Sequence, residues 1–387
     1  MTYTNAEKMI LSAADTGSAD ASRKICALLD YPEKRLRVIK VFGESGKSST
    51  VNLLSAAISA AGYKVGRLTT PCIGSARESI CVDERPLSIE QFSSSAEKVK
   101  NALKQIKKDT PELEASRYDL LLATALCAFD ELGCDFAVIE TDTALYSCID
   151  DPLISIITTV NDTKSALGIC ARLDRRTGEV ITAMQSREVY KIIFDKCAEI
   201  NRRLSMPLRN SFIFMSASLK RIEFTYNTRL YSVGTGAYYQ IYNLLTVIEA
   251  TEALTRLGFK IPSVEVCSAV LGRGIPLRFE MLSVMPTVII DRADSESKRR
   301  RLIETIKMQN AFVGAKPTVI CEGEKRKIAE EFLMHGLDAE VTLLPEKDAK
   351  KALKELCPKL DEHSVTIILG SSAYCENLSK IIKDILM

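Results

Sequence analysis

The sequence predicts an α/β protein of two domains, a larger one built on a mainly parallel sheet and a smaller one after it. Three observations predict this. Strand-like and helix-like patterns alternate along most of the 387 residues, which argues for parallel strands covered by helices. A buried-strand pattern, Val38 to Phe42, runs directly into Gly43-Glu44-Ser45-Gly46-Lys47-Ser48-Ser49-Thr50 and then into a helical pattern. A second block of alternation begins near residue 285, so the expected domains are 1–284 and 285–387, the latter a Rossmann-like α/β domain.

Taken in order, residues 6–30 read as helical with a break near Gly17, and Pro32 ends them. A strand follows at 37–42 and a helix from 47 to 61, with Gly62 suited to its C-terminal end. Residues 64–69 read as the next strand and 70–78 as a loop. Two amphipathic helices are predicted at 88–107 and 118–132. The apolar strand 136–140 ends in Glu140, and 153–160 is a further β-branched strand. Residues 182–204 read as a helix, and 212–233 alternate as antiparallel strands. A glycine-bounded turn opens a long apolar helix through 257, then comes a helix at 261–270 and an arginine-bearing linker at 272–280. In the second block, strands are expected at 287–291, 317–321, 339–344 and 365–370, with helices at 324–335, 347–357 and 373–386. The run Lys298-Arg299-Arg300-Arg301 reads as a solvated helix face.

Composition narrows the function classes. Hydrophobic content of 46% and charged content of 26% are ordinary for a globular chain. A net charge of +2 argues against a nucleic-acid or acidic-membrane partner. No apolar run of membrane-spanning length and no secretory pattern is found, so a cytoplasmic location is expected. The twelve cysteines are scattered without a C-x-x-C pair and read as small buried hydrophobes. There are only two histidines, His335 and His363.

The stretch from Gly43 to Thr50 carries the chemistry. A strand, a turn with two glycines and a helix opening on Lys47 and three hydroxyls make a phosphate-binding loop. The glycines let backbone amides approach phosphate oxygens, Lys47 reaches the outer phosphates, and a hydroxyl can bind magnesium. Val41 stands where the longer GxxxxGK[ST] form has glycine, so this is the shorter GxxGKS form. In parallel sheets ligands sit at the carboxyl ends of strands. Glu140 and residues 159–163 fall at such ends, which makes Glu140 a candidate magnesium ligand.

Seven segments, in this order, resemble the folylpolyglutamate synthase/dihydrofolate synthase branch of the Mur ligase superfamily. Gly43 to Thr50 is similar to the family loop GTNGKGST, with Ser45 for Asn and Ser48 for the third glycine. Thr69-Thr70-Pro71 through Glu78 and Ile80, with Pro86 to Ile89, resembles TSPHL…ERI…I. Val138-Ile139-Glu140 resembles the acid-ended strand, and Gln240 with Asn243 the Q-x-x-N helix start. Pro276-Leu277-Arg278-Phe279-Glu280 resembles P-G-R-L-E. Asp291-Arg292-Ala293-Asp294, with Leu302, resembles D-G-A-H-N-P-x₅-L. Gly370-Ser371-Ser372-Ala373-Tyr374 resembles G-S-L-Y.

The resemblance implies an ATP- and Mg²⁺-dependent amide ligase. A folate-like carboxylate attacks the γ-phosphate, and the glutamate amine displaces phosphate from the resulting acyl phosphate. It implies that Gly43, Ser45, Gly46, Lys47, Ser48, Ser49 and Thr50 surround the phosphates, that Ser49 and Glu140 bind magnesium, and that Gln240 and Asn243 meet adenine. Arg278 then reaches a phosphate and Asp291 holds ribose. The implied partners are the folate-like carboxylate and glutamate, with no nucleic acid or membrane, and the implied state is a monomer.

Departures fall on catalytic groups. The family's D-H pair is Asp162-Thr163 here, and its carbamylated lysine aligns with Arg176, which stays protonated. H-N-P is Asp294-Ser295-Glu296, and the glycine-rich turn after Glu140 is Thr141-Asp142-Thr143-Ala144. Neither histidine lies in a motif. Magnesium accepts oxygen ligands, so Asp142, Asp162 and Asp294 are candidates to rebuild a metal site, and Asp162 and Asp294 join Lys47 and Arg278 in the candidate catalytic set. Ser75-Ala76-Arg77 stand where aromatic residues would give a pterin its stacking platform. Two readings are carried forward: an amide ligase, and a catalytically degenerate relative that binds nucleotide in a regulatory or partner-binding role. A superfamily ligase for a cell-wall or storage-peptide precursor is the third.

Overall fold

A computed structural model describes residues 1–18, 20–70, 72, 74–141, 148–208, 211–271, 274–309, 312, 316–356 and 364–386. Contacts divide the chain into two units, Met1–Arg209 with Tyr242–Ala269, and Asn210–Ile241 with Val270–Met387. The chain therefore passes from one unit to the other more than once, and residues 210–241 and 270–284 group with the C-terminal block rather than with residues 1–209.

The first unit contains α1 (Tyr3–Leu11), α2 (Ala21–Leu28), β1 (Arg37–Phe42), α3 (Lys47–Ala60), β2 (Val65–Leu68), β3 (Ile80–Val82), β4 (Arg85–Pro86), α4 (Ile89–Asp109) and α5 (Arg117–Glu131). It continues through β5 (Phe136–Glu140), β6 (Ile154–Ile157), α6 (Thr163–Cys170), β7 (Glu179–Thr182), α7 (Arg187–Glu199) and β8 (Leu204–Ser205). Most of α8 (Gln240–Arg256) and α9 (Ser263–Val270) complete it. Its eight strands run in the order β4-β3-β2-β5-β1-β6-β7-β8. β1 pairs in parallel with β5 on one side and β6 on the other. From β1 the chain crosses β5 to reach β2, whereas from β5 it crosses β1 to reach β6. The carboxyl ends of β1, β5 and β6 lie side by side, and α/β sheets bind ligands outside such ends.

Burial explains the strand patterns. Every residue of β5 and β6 is buried, as expected for central strands covered on both faces. The β2-β3-β4 edge is antiparallel. α4 and α5 open on reciprocal capping boxes, Ser88 with Gln91 and Ser116 with Asp119.

The second unit contains β9 (Phe212–Ser218), β10 (Arg221–Tyr226) and β11 (Arg229–Val233), an antiparallel three-stranded sheet. It also contains β12 (Glu280–Ser283), β13 (Thr287–Asp291), α10 (Glu296–Lys307), β14 (Thr318–Cys321), α11 (Lys325–Met334), β15 (Glu340–Leu343), α12 (Ala349–Leu356), β16 (Val365–Leu369) and α13 (Ser372–Leu386). The five-stranded sheet has the order β12-β13-β16-β14-β15, parallel except for β12. Ile289, Leu302, Ile306, Phe332 and Ile367 lie in its core.

Three local expectations change. The helix expected over 182–204 is α7, shorter at Arg187–Glu199, and the strand β7 just before it, which pairs with β6, had no sequence expectation. α6, over 163–170, had no sequence expectation; it is only eight residues long. The run 298–301 is not wholly solvated. Arg299 is buried and makes a bidentate pair with Glu331, at 2.5 and 2.8 Å. No helix among the described residues is long and apolar enough to cross a membrane.

Candidate nucleotide site

The phosphate loop joins β1 to α3 within the first unit, and its conformation requires both glycines. Gly43 has φ +132°, and a Cβ there would lie 2.3 Å from Thr158 Oγ1. Gly46 has φ +94° and is the N-cap of α3, with no side chain capping the helix. Such an end offers unpaired N–H groups and a positive dipole to an anion. A Cβ on Gly46 would meet Asn243 Oδ1 at 2.4 Å. Asn243, expected at adenine, thus lies beside the loop itself. Gln240, three residues earlier, is fully buried.

The loop is fixed to the end of β6. Glu44 and Ser45 donate their N–H groups to the Thr159 carbonyl at 3.0 and 3.3 Å. The Glu44 carboxylate accepts from Asn161 N at 2.5 Å and from the Ser165 hydroxyl at 2.7 Å. Glu44 was absent from the expected site because neither its glycine-loop position nor its type marks phosphate chemistry; here it is a clamp. Thr158 was missed for a similar reason, since nothing local marks a strand-end threonine as the wedge against Gly43.

Lys47 forms no ion pair among the described residues and is half-buried at the helix start. Ser49 and Glu140 are 3% and 2% exposed. The Glu140 carboxylate accepts from Thr70 N at 3.1 Å, and the Glu140 carbonyl accepts from the Tyr118 hydroxyl at 3.3 Å. Burial pushes the Tyr118 phenol well up, keeping it a donor. Thr50 Oγ1 is buried without a hydrogen-bond partner. Ser49 and Glu140 offer the hydroxyl and carboxylate oxygens that magnesium takes, so the donor set fits that ion.

The departures are engaged otherwise. Asp162 is exposed and caps α6, accepting from Ser165 N at 2.8 Å. Arg176 pairs with Asp174 at 2.7 Å and Asp150 at 3.3 Å. Glu78 closes a capping box with Ser75. Asp142 and His363 lie outside the described residues.

In the second unit Asp291 is the centre of a network. It is 2% exposed, and its Oδ2 accepts from the Tyr239 hydroxyl at 2.6 Å and from Phe279 N at 2.9 Å. Arg278 lies 3.9 Å from its other oxygen and donates to the Arg292 carbonyl at 3.1 Å. Burial raises the Asp291 carboxyl above its ordinary range against the opposing pull of Arg278. Asp291, expected at ribose, is therefore already satisfied by protein donors. Arg278 also lines a cavity of about 490 Å³ with Lys220, Thr235 and Pro276. Asp294 is exposed and pairs with Lys298 at 2.5 Å.

No family model matches the chain. It is 26% identical to a dihydrofolate synthase/folylpolyglutamate synthase of Bacillus subtilis over 79% of its own length and 75% of that protein's. Its fold is similar to folylpolyglutamate synthetase from Lactobacillus casei (TM-score 0.81, 21% identical) and to an FPGS–AMPPCP–folate complex (TM-score 0.82, 20% identical), with all chains covered in full. A loop that only glycine can form, at the carboxyl end of a central parallel strand, therefore coincides with similarity in sequence to a dihydrofolate synthase/folylpolyglutamate synthase and in fold to folylpolyglutamate synthetase.

Proposed function

We propose that this chain is an ATP-dependent acid–amino-acid ligase joining the glutamate amine to a folate-like carboxylate through an acyl phosphate. The observation that supports it most is the start of α3 behind Gly43 and Gly46, with no side-chain cap, and Lys47 beside it without an ion pair among the described residues. In this reading the α3 amides and Lys47 hold the phosphates. Catalysis of phosphoryl transfer is chiefly such positioning and electrostatic stabilisation. Ser49 and Glu140 would hold magnesium, which when bound neutralises phosphate charge. Asn243 steadies the loop, and Asp291 orients the Arg278 guanidinium for an anion rather than taking ribose itself.

A second reading, nucleotide binding without ligation, draws on Asp162 and Asp294, whose carboxylates are engaged in a helix cap and an ion pair. The experiment is ADP release by the purified protein in Mg-ATP, with and without glutamate plus a reduced folate, with mass analysis of products. ADP formed only with both substrates, and a product heavier by one glutamate, is the expected result. ATP binding without ADP or product overturns the ligase reading and leaves the second.

A further inference from the structure

Away from the phosphate loop, Cys26 on α2, Glu33 in the turn Pro32–Lys34 and Cys148 converge. One ligand atom from each lies within 4.8 Å of the others, and all three residues are buried. The two sulfurs are 3.4 Å apart, although 122 positions separate them in sequence. Glu33 is 8% exposed, and its Oε2 is buried with no hydrogen-bond partner. The backbone before it is unusual: Asp30 and Tyr31 both have positive φ, 60° and 51°.

A hydrophobic account fits other buried cysteines of this chain but not this pair. A buried carboxylate oxygen left unpaired is costly. A disulfide would account for the sulfurs only; it would also require an oxidant, and it would leave Glu33 Oε2 without a partner. A cation accounts for all three groups. We propose that Cys26, Cys148 and Glu33 form a binding site for a thiophilic divalent cation of the zinc class, with water in the fourth position.

Tetrahedral zinc with bonds of about 2.3 Å to sulfur places two thiolates roughly 3.8 Å apart, close to the observed separation. Binding releases the two thiol protons to solvent. Two thiolates and one carboxylate against a divalent cation leave one negative charge. Lys40, half-buried, stands near the site and donates to the carbonyl of Ile149, the residue after Cys148, at 3.2 Å. The site would bind α2 and the following turn to the chain entering β6. It is independent of the ligase reading.

The test uses the reduced, chelator-stripped full chain titrated with Co²⁺ alone and then Zn²⁺. One equivalent of Co²⁺ is expected to give thiolate charge-transfer absorption and tetrahedral d–d bands, displaced by one equivalent of Zn²⁺. Cys26→Ser and Cys148→Ser lose the charge-transfer band. Glu33→Gln, nearly isosteric and so the variant least exposed to misfolding, keeps the band but binds more weakly. Cys170→Ser leaves the spectrum unchanged. A folded wild-type chain without a thiolate band overturns the proposal, as does a band that survives in both serine variants or a Glu33→Gln chain of unchanged affinity. A Cys26–Cys148 disulfide that re-forms in preference to metal binding overturns it as well.

Discussion

Replacing Gly43 by alanine tests the phosphate loop at the point where it touches β6. The φ of +132° costs a side-chain-bearing residue about 1–3 kcal/mol. The new Cβ would also lie 2.3 Å from Thr158 Oγ1 and 3.1 Å from the Thr158 backbone. Thr158 cannot easily retreat. Its N–H and hydroxyl both donate to the Phe42 carbonyl, at 2.8 and 3.2 Å, and its own carbonyl accepts from Gln185 at 2.9 Å. Overpacking adds about 1–3 kcal/mol, so Gly43→Ala should cost about 2–6 kcal/mol in all. Thr158→Ala removes the closest contact and loses a hydrogen bond of about 1 kcal/mol.

The double variant should then be more stable than the sum of the single effects, by about 1–3 kcal/mol. Gly46→Ala meets only the end of the Asn243 side chain, which can swing away. It should cost no more than the left-handed strain, about 1–2 kcal/mol. Urea unfolding followed by circular dichroism reads the stabilities, and calorimetry with a non-hydrolysable ATP analogue reads the loop. Additivity of Gly43→Ala and Thr158→Ala, or equal costs at Gly43 and Gly46, would refute the reasoning.

Lys47→Ala should keep the fold, read by circular dichroism, and lower the rate of ADP formation ~10²–10³-fold; an unchanged rate removes Lys47 from the site. Arg299→Met strands Glu331 in the interior and should cost about 3–5 kcal/mol, whereas Arg299→Met with Glu331→Leu should recover most of it in the same urea assay. Asp291 has a folded-state value raised above its ordinary 3.8. Its protonation-linked contribution is therefore fully present below about pH 3.8 and is lost as pH rises through the folded-state value. The stability gap between wild type and Asp291→Asn should shrink across that window, and a gap that widens with pH contradicts the burial argument.

The strands β5, β13 and β16 were legible because buried parallel strands read as near-continuous apolar runs. α3 and its loop were legible because glycine, lysine and hydroxyl chemistry is local. β7 was missed because four residues beside a helix carry too little pattern to separate strand from helix, and pairing with β6 decided the matter. Arg299 was misjudged because a charge run on one helix says nothing about a glutamate on another.

By itself the sequence determined the alternation, the phosphate loop, the acid at the end of β5 and the likeness to a ligase family, each carried by short runs of contiguous residues. Only the tertiary structure decided which polar groups were already satisfied. It placed Asn243 against Gly46, closed Asp291 with Tyr239 and Phe279, spent Asp162 on a helix cap, and joined Cys26 to Cys148 and Glu33. The reason is physical: a side chain's chemistry depends on burial and on partners, and those partners come from segments that no local pattern links.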